Sequence, residues 1–122
     1  MNLNFNHGTG AITDDDGNSI TNAAWSGNHE GKLNPAMQNV VKVGPIPCGV
    51  FKVLKPWGDN PPHGPDSVQL EQVSGETYGR SGFMVHGPSQ TNYGQESEGC
   101  IVIPHDPRIA IMNLDPDTIT VT

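Results

Sequence analysis

The chain has 122 residues, a formal charge of −7 and only two cysteines. That length suits one domain, residues 1–122, with a core of its own, and the acidity excludes a nucleic-acid partner, which calls for a basic face. No apolar stretch reaches the length of a membrane span, so no membrane insertion is expected. "MNLNFNHGTG" lacks the basic start and apolar run of a secretory signal, so the expected place of synthesis is the cytoplasm.

With 15 Gly and 11 Pro between short β-branched runs, the sequence predicts β structure cut by turns. "LNFNHGTGAIT" and "DDDGNSITNAA" read as two strands joined by an Asp-Gly turn. "WSGNHEGKLNPAMQNVV" is a long loop, with a helical turn around residues 34–40 after Asn34-Pro35. "GPIPCGVFKVLKP" is a turn and then a strand carrying Val50, Phe51, Val53 and Leu54. A proline-rich loop from Pro56 to Pro65 leads into the strand "SVQLEQV". "SGETYGRSG" turns into "FMVHG", "GCIVIP" is another strand, "DPRIAIMNL" a short helix and "DTITVT" a closing strand. About seven short strands with one or two helical pieces predict a compact, mainly β barrel or sandwich.

The stretch "FMVHGPSQTNYGQESEGCIVIP" carries the chemistry. His86 ends one strand and Cys100 opens the next. If the strands are neighbours, imidazole and thiol meet at one end of a sheet, as nucleophilic thiol catalysis requires. Gly99 lets a carbonyl substrate approach the backbone closely, and the N–H groups of Gly99 and Cys100 are candidate oxyanion donors. From spacing alone, a small core cysteine and a polar histidine cap are the commoner reading of the pattern.

The pattern is more specific than its spacing. His86-Gly87, a variable loop and Ser97-Glu98-Gly99-Cys100 resemble the signature of YkuD-type L,D-transpeptidases. The common family form has His where this chain has Glu98, and Arg or Asn where it has Ile101 and Val102. A diverged branch, the small L,D-transpeptidase-like effectors of type VI secretion, is similar over nearly the whole chain. The matching features run from Thr9-Gly10 through Trp25-Ser26-Gly27, Asn34-Pro35, "GPIPCG" and "GRSGFMVHG" to "SEGCIVI" and Arg108.

That resemblance implies an L,D-transpeptidase-like catalytic domain acting on the peptide stem of peptidoglycan. The implied reaction is attack by Cys100 on the carbonyl of the L-centre, loss of D-Ala, and a thioester resolved by water or by an amine. His86 is then base and acid, and Gly87 or a nearby carbonyl orients its ring. Ser97 bonds the loop or the histidine, or holds a turn. Arg80 and Arg108 are candidates for the stem carboxylate, with a surface ion pair as the other reading of each. Tyr93 and Trp25 are candidate cleft residues, Trp25 being equally readable as core.

Glu98 would raise the thiol pKa and is expected to face solvent or a basic group. Cys48, framed by proline and glycine, reads as a small buried filler; one disulfide between the cysteines is permitted but not required. His7, His29, His63, His86 and His105 are scattered without ligand spacing, so neither a metal nor another cofactor is expected.

The implied setting is an antibacterial toxin delivered to the periplasm of target bacteria, with a secretion-machine component and a cognate immunity protein as partners. Release by a phage fits the missing signal equally. An NlpC/P60-like cysteine amidase is the enzyme alternative, although that family usually places its Cys before its His. A non-catalytic wall-binding module is the other.

Overall fold

The computed structural model describes residues 1–61, 63–89, 94 and 97–122. In chain order the strands are β1 (Asn2–Phe5), β2 (Ile12–Asp14), β3 (Ser19–Thr21), β4 (Gly49–Gly58), β5 (Ser67–Ser74), β6 (Met84–His86) and β7 (Ile101–Val102); the helix α1 (His105–Leu114) and β8 (Thr118–Val121) follow. They form one eight-stranded sheet of order β3-β2-β1-β8-β4-β5-β6-β7. The sheet curls until its ends meet. Just after β3, the Trp25 amide donates to the Val102 carbonyl at 3.0 Å and the Trp25 carbonyl accepts from the Val102 amide at 2.8 Å.

Alternation along the strands explains the core. Leu3 and Phe5, Phe51 and Val53, Val68 and Leu70, and Ile119 and Val121 point inward, while their neighbours, apart from the buried Ser67, are more exposed. Ile46, Phe83, Val85, Ile101, Ile103 and Ile111 complete the cluster. Each large apolar side chain buried there contributes roughly 1.5 to 3 kcal/mol. Phe83 stands edge-on to Phe51 with ring centroids 5.6 Å apart, joining the strand that carries His86 to the middle of the sheet.

Three boundaries differ from the sequence reading. The first predicted strand is two, because residues 6–11 turn the chain back: the Asn6 side chain accepts from Gly8 and Thr9, and the amides of Thr9 and Gly10 donate to the Asn6 carbonyl. Pro56 lies within β4, next to a register shift between Leu54 and Gly58, so the proline-rich loop is shorter than expected. The helical turn predicted after Asn34-Pro35 is a single 3-10 turn, Pro35–Met37, capped by the Asn34 side chain on the Ala36 amide; a second such turn, His29–Gly31, precedes it.

Among the described residues no helix is long and apolar enough to cross a membrane.

Candidate active site

The site forms where β6 and β7 run side by side. They pair in parallel, Val85 opposite Ile101 and His86 opposite Val102. Val85 and Ile101 are fully buried in the core, so the residues before and after them face the other side of the sheet. Met84, His86, Cys100 and Val102 therefore share that outer face, on adjacent strands.

His86 is only 3% exposed. Its Nδ1 lies 2.8 Å from the Gly87 carbonyl. A carbonyl only accepts, so Nδ1 carries the proton of the neutral ring and Nε2 is the basic nitrogen. The sequence missed a second imidazole: His63, from the loop between β4 and β5, stacks on His86 with centroids 4.6 Å apart. His63 is half-buried, in a loop braced by its own amide on the Asn60 carbonyl at 2.7 Å and by Ser67 Oγ on the Gly64 carbonyl at 2.8 Å. It appeared in the sequence only as an isolated histidine among prolines.

Cys100 is partly buried and reduced, and both cysteines are free. It lines a cavity of about 520 Å³ together with His63, Lys42, Phe83, Glu98 and Gly99. Burial pushes its thiol up to about 11. The Met84 amide, donating toward the sulfur, and the Arg80 guanidinium pull the other way, and Glu98 adds to the rise. Burial wins. The resting sulfur is a thiol that needs a base. A second cavity, about 570 Å³, lies beyond the same wall of Arg80, Ser81, Gly82 and Phe83, over Leu54 and Leu70.

The Ser97–Cys100 turn is held by buried polar groups. Ser97 Oγ donates to the Cys100 carbonyl at 2.6 Å and accepts from the amides of Gly27 at 2.9 Å and Gly99 at 3.2 Å. Ser26 Oγ donates to the Gly99 carbonyl and accepts the Ile46 amide. Asn28 Nδ2 donates to the carbonyls of Ser97 and Lys42, each at 2.7 Å. The sequence reading gave Ser26 a place in a motif but no function, and gave Asn28 neither. Because the Gly99 amide is taken by Ser97, Gly99 is not a free oxyanion donor, a correction to the sequence reading. Glu98 is exposed, as expected.

Arg80 moves from substrate to scaffold. Arg80 is 7% exposed; Nη1 donates to the carbonyls of Gln38 and Pro45, and Nη2 to those of Gly44 and Glu98. With four carbonyls on its two η nitrogens, no fork is left for a carboxylate. Arg108, also 7% exposed, donates from Nη1 to the Ile103 carbonyl at 3.0 Å. Each presses on a glycine of the sequence signature. A Cβ at Gly87 would lie 1.7 Å from Arg108 Nη1, and one at Gly99 would lie 2.5 Å from Arg80 Nη2 at a φ of +131°. A side chain at Gly87 would have to push the Arg108 guanidinium aside, and at Gly99 it would also meet a backbone conformation that favours glycine.

Trp25 is 6% exposed, closes the sheet against β7 and is covered by Lys32 Nζ at 4.8 Å. It is a structural residue rather than a substrate platform. Tyr93 lies outside the described residues. Cys48 is exposed, not a buried filler, and its Sγ lies 3.6 Å from His7 Nε2. No group of three or more His, Cys, Asp or Glu suited to a metal occurs among the described residues.

The small curled eight-stranded sheet with one helix is the fold of an L,D-transpeptidase-like domain. The solved structure titled "Structure of LD transpeptidase LdtMt1 in complex with imipenem" has this fold. It superposes with a TM-score of 0.54 at 18% identity, over 99% of this chain and 58% of that one. The L,D-transpeptidase from Mycobacterium smegmatis gives a TM-score of 0.49 at 19% identity, with the same coverage of 99% and 58%. This chain thus spans less than two thirds of either structure.

Residues 20–116 match the model of the Tlde1 domain, so the chain belongs to that family, the type VI effector branch that its motifs resemble. No curated protein matches it.

Proposed function

We propose that this domain is a peptidoglycan-acting cysteine L,D-carboxypeptidase and exchange enzyme that cuts the terminal D-Ala from tetrapeptide stems. The observation that carries the proposal is that Cys100 immediately precedes β7, the strand paired in parallel with the one that ends in His86, and lines a cavity. The Gly87 carbonyl supports the role of His86 by fixing the proton on Nδ1 and leaving Nε2 to act as base.

In the proposed cycle, the Cys100 proton passes to His86 Nε2 as sulfur attacks the carbonyl carbon of the L-centre. The carbon–nitrogen bond to D-Ala breaks, and the departing nitrogen takes that proton from His86. Water, activated by the same imidazole, hydrolyses the thioester; a D-amino acid in its place gives exchange. The Met84 amide, already directed at the sulfur, stabilises the thiolate as it forms.

Mass spectrometry of muropeptides incubated with the protein tests the reading. Tetrapeptide stems become tripeptides, or carry a new terminal D-residue when one is supplied, and Cys100→Ala abolishes both. Cleavage between sugar and L-Ala would establish an amidase instead, and an inert Cys100 a binding module. Delivery to the periplasm of target bacteria, with an immunity protein in the producer, accompanies this proposal. Periplasm-directed expression then deforms or lyses cells, while cytoplasmic expression is tolerated.

A further inference from the structure

The chain builds a second thiol–imidazole pair, which the reaction above does not use. Cys48 Sγ lies 3.6 Å from Nε2 of His7. His7 is 2% exposed, and its Nδ1 lies 2.7 Å from the Ile46 carbonyl. That carbonyl can only accept, so in the neutral ring the proton sits on Nδ1 and Nε2 presents a lone pair to the sulfur. The His7 amide donates to the Thr122 carbonyl at 2.9 Å, anchoring the residue just past β8. On the other side, the Cys48 amide donates to Gln38 Oε1 at 3.0 Å, fixing the turn that carries the thiol.

Exposure separates this pair from Cys100. Cys48 faces solvent while its base is buried behind it. An exposed cysteine alone would mean nothing; the buried imidazole, oriented by a carbonyl and directed at the sulfur, is the independent second feature. Partial burial raises the Cys48 thiol above its ordinary value, so a standing thiolate is scarce and reaction needs the proton to leave as the sulfur attacks. A sulfur of higher basicity is also the better nucleophile once deprotonated.

We propose that Cys48 is a thiol–disulfide exchange site, with His7 as its proton acceptor and a small disulfide, the oxidised form of a low-molecular-weight thiol, as its reaction partner. The Sγ proton moves to His7 Nε2 as Cys48 attacks one sulfur of the disulfide. The disulfide's own S–S bond breaks, a mixed disulfide forms on Cys48, and the leaving thiolate takes the proton from His7. The Cys48 sulfur is oxidised and the departing sulfur reduced, so no further oxidant is needed.

The test uses the full folded chain and oxidised glutathione at neutral pH, read by intact mass and peptide mapping. Wild type, Cys48→Ser, Cys100→Ser and His7→Gln are compared, and the same reaction in concentrated urea gives the rate of an unassisted thiol. The expected adduct maps to Cys48 in wild type and Cys100→Ser and is lost in Cys48→Ser. It forms on the order of tenfold faster than in urea, a modest share of what a positioned base supplies. His7→Gln, with unchanged circular dichroism, brings the rate down to the urea value. Native Cys48 reacting no faster than in urea, or an adduct mapping first to Cys100, overturns the proposal. Where His7→Gln does not fold, the native-to-urea ratio of the wild type decides.

Discussion

Replacing Cys100 with serine should change how stability depends on alkaline pH, by an amount set by the burial of the sulfur. The thiol moves from an ordinary value of 9.0 to about 11 in the folded chain. The unfolded thiol therefore ionises first. Between these values the unfolded state holds fewer protons than the folded one, so stability falls as pH rises. The contribution is fully present below 9 and is lost as pH climbs to about 11.

A displacement of that size corresponds to about 2 to 3 kcal/mol. Serine does not ionise in this range, so the difference between wild type and Cys100→Ser isolates the effect from lysines and tyrosines. Urea unfolding across this range, in a Cys48→Ser background that removes the other thiol, measures it. The expected difference is flat at neutral pH and then shifts against the wild type. Glu98→Gln, which removes a charge that raises the thiol, reduces the shift. A difference that stays flat to the top of the range would refute the claim that the fold holds this sulfur protonated.

Ser97→Ala strips an acceptor from two buried amides and a donor from the Cys100 carbonyl; the expected loss is about 2 to 4 kcal/mol in urea unfolding, with turnover reduced. Gly99→Ala puts a Cβ against Arg80 at a positive φ; about 2 kcal/mol or more of destabilisation is expected from the same measurement. His63→Ala uncovers one face of the His86 ring; turnover in the muropeptide assay is expected to fall while circular dichroism shows the fold intact. Lys42 lines the Cys100 cavity, and with Arg80 spent on carbonyls, Lys42→Ala is expected to raise KM for stems ending in a free carboxylate more than it lowers kcat.

The sheet was legible because its signal is local. Alternating apolar residues in the "NLNF" and "VFKV" runs mark inward faces, and Gly and Pro mark the turns between them. Locality also explains the misplaced boundaries. Asn6 turns the chain with its own side chain where the run of β-like residues reads as continuous, and Pro56 stays in β4 beside a register shift. The pairing order, with β8 between β1 and β4, depends on contacts across the whole chain and leaves no trace in any window.

The site divides along the same line. His86 and Cys100 could be read because only residues 87–99 separate them, and β6 and β7 then pair in parallel. His63 and Asn28 could not, since each reaches the site from a distant loop. Arg80 shows the subtler error. In an acidic chain a rare cation invites a ligand, but burial reverses that logic: a buried guanidinium has to be satisfied by the groups that enclose it. Arg80 meets the carbonyls of Gln38, Gly44, Pro45 and Glu98, joining the turn before Cys48 to the turn before Cys100. The signature glycines follow from the same packing: Gly87 and Gly99 give up a side chain because an arginine occupies its place. The strongest sequence signals around the nucleophile therefore record how its surroundings are braced, while the chemistry rests on the cysteine and histidine they hold in position.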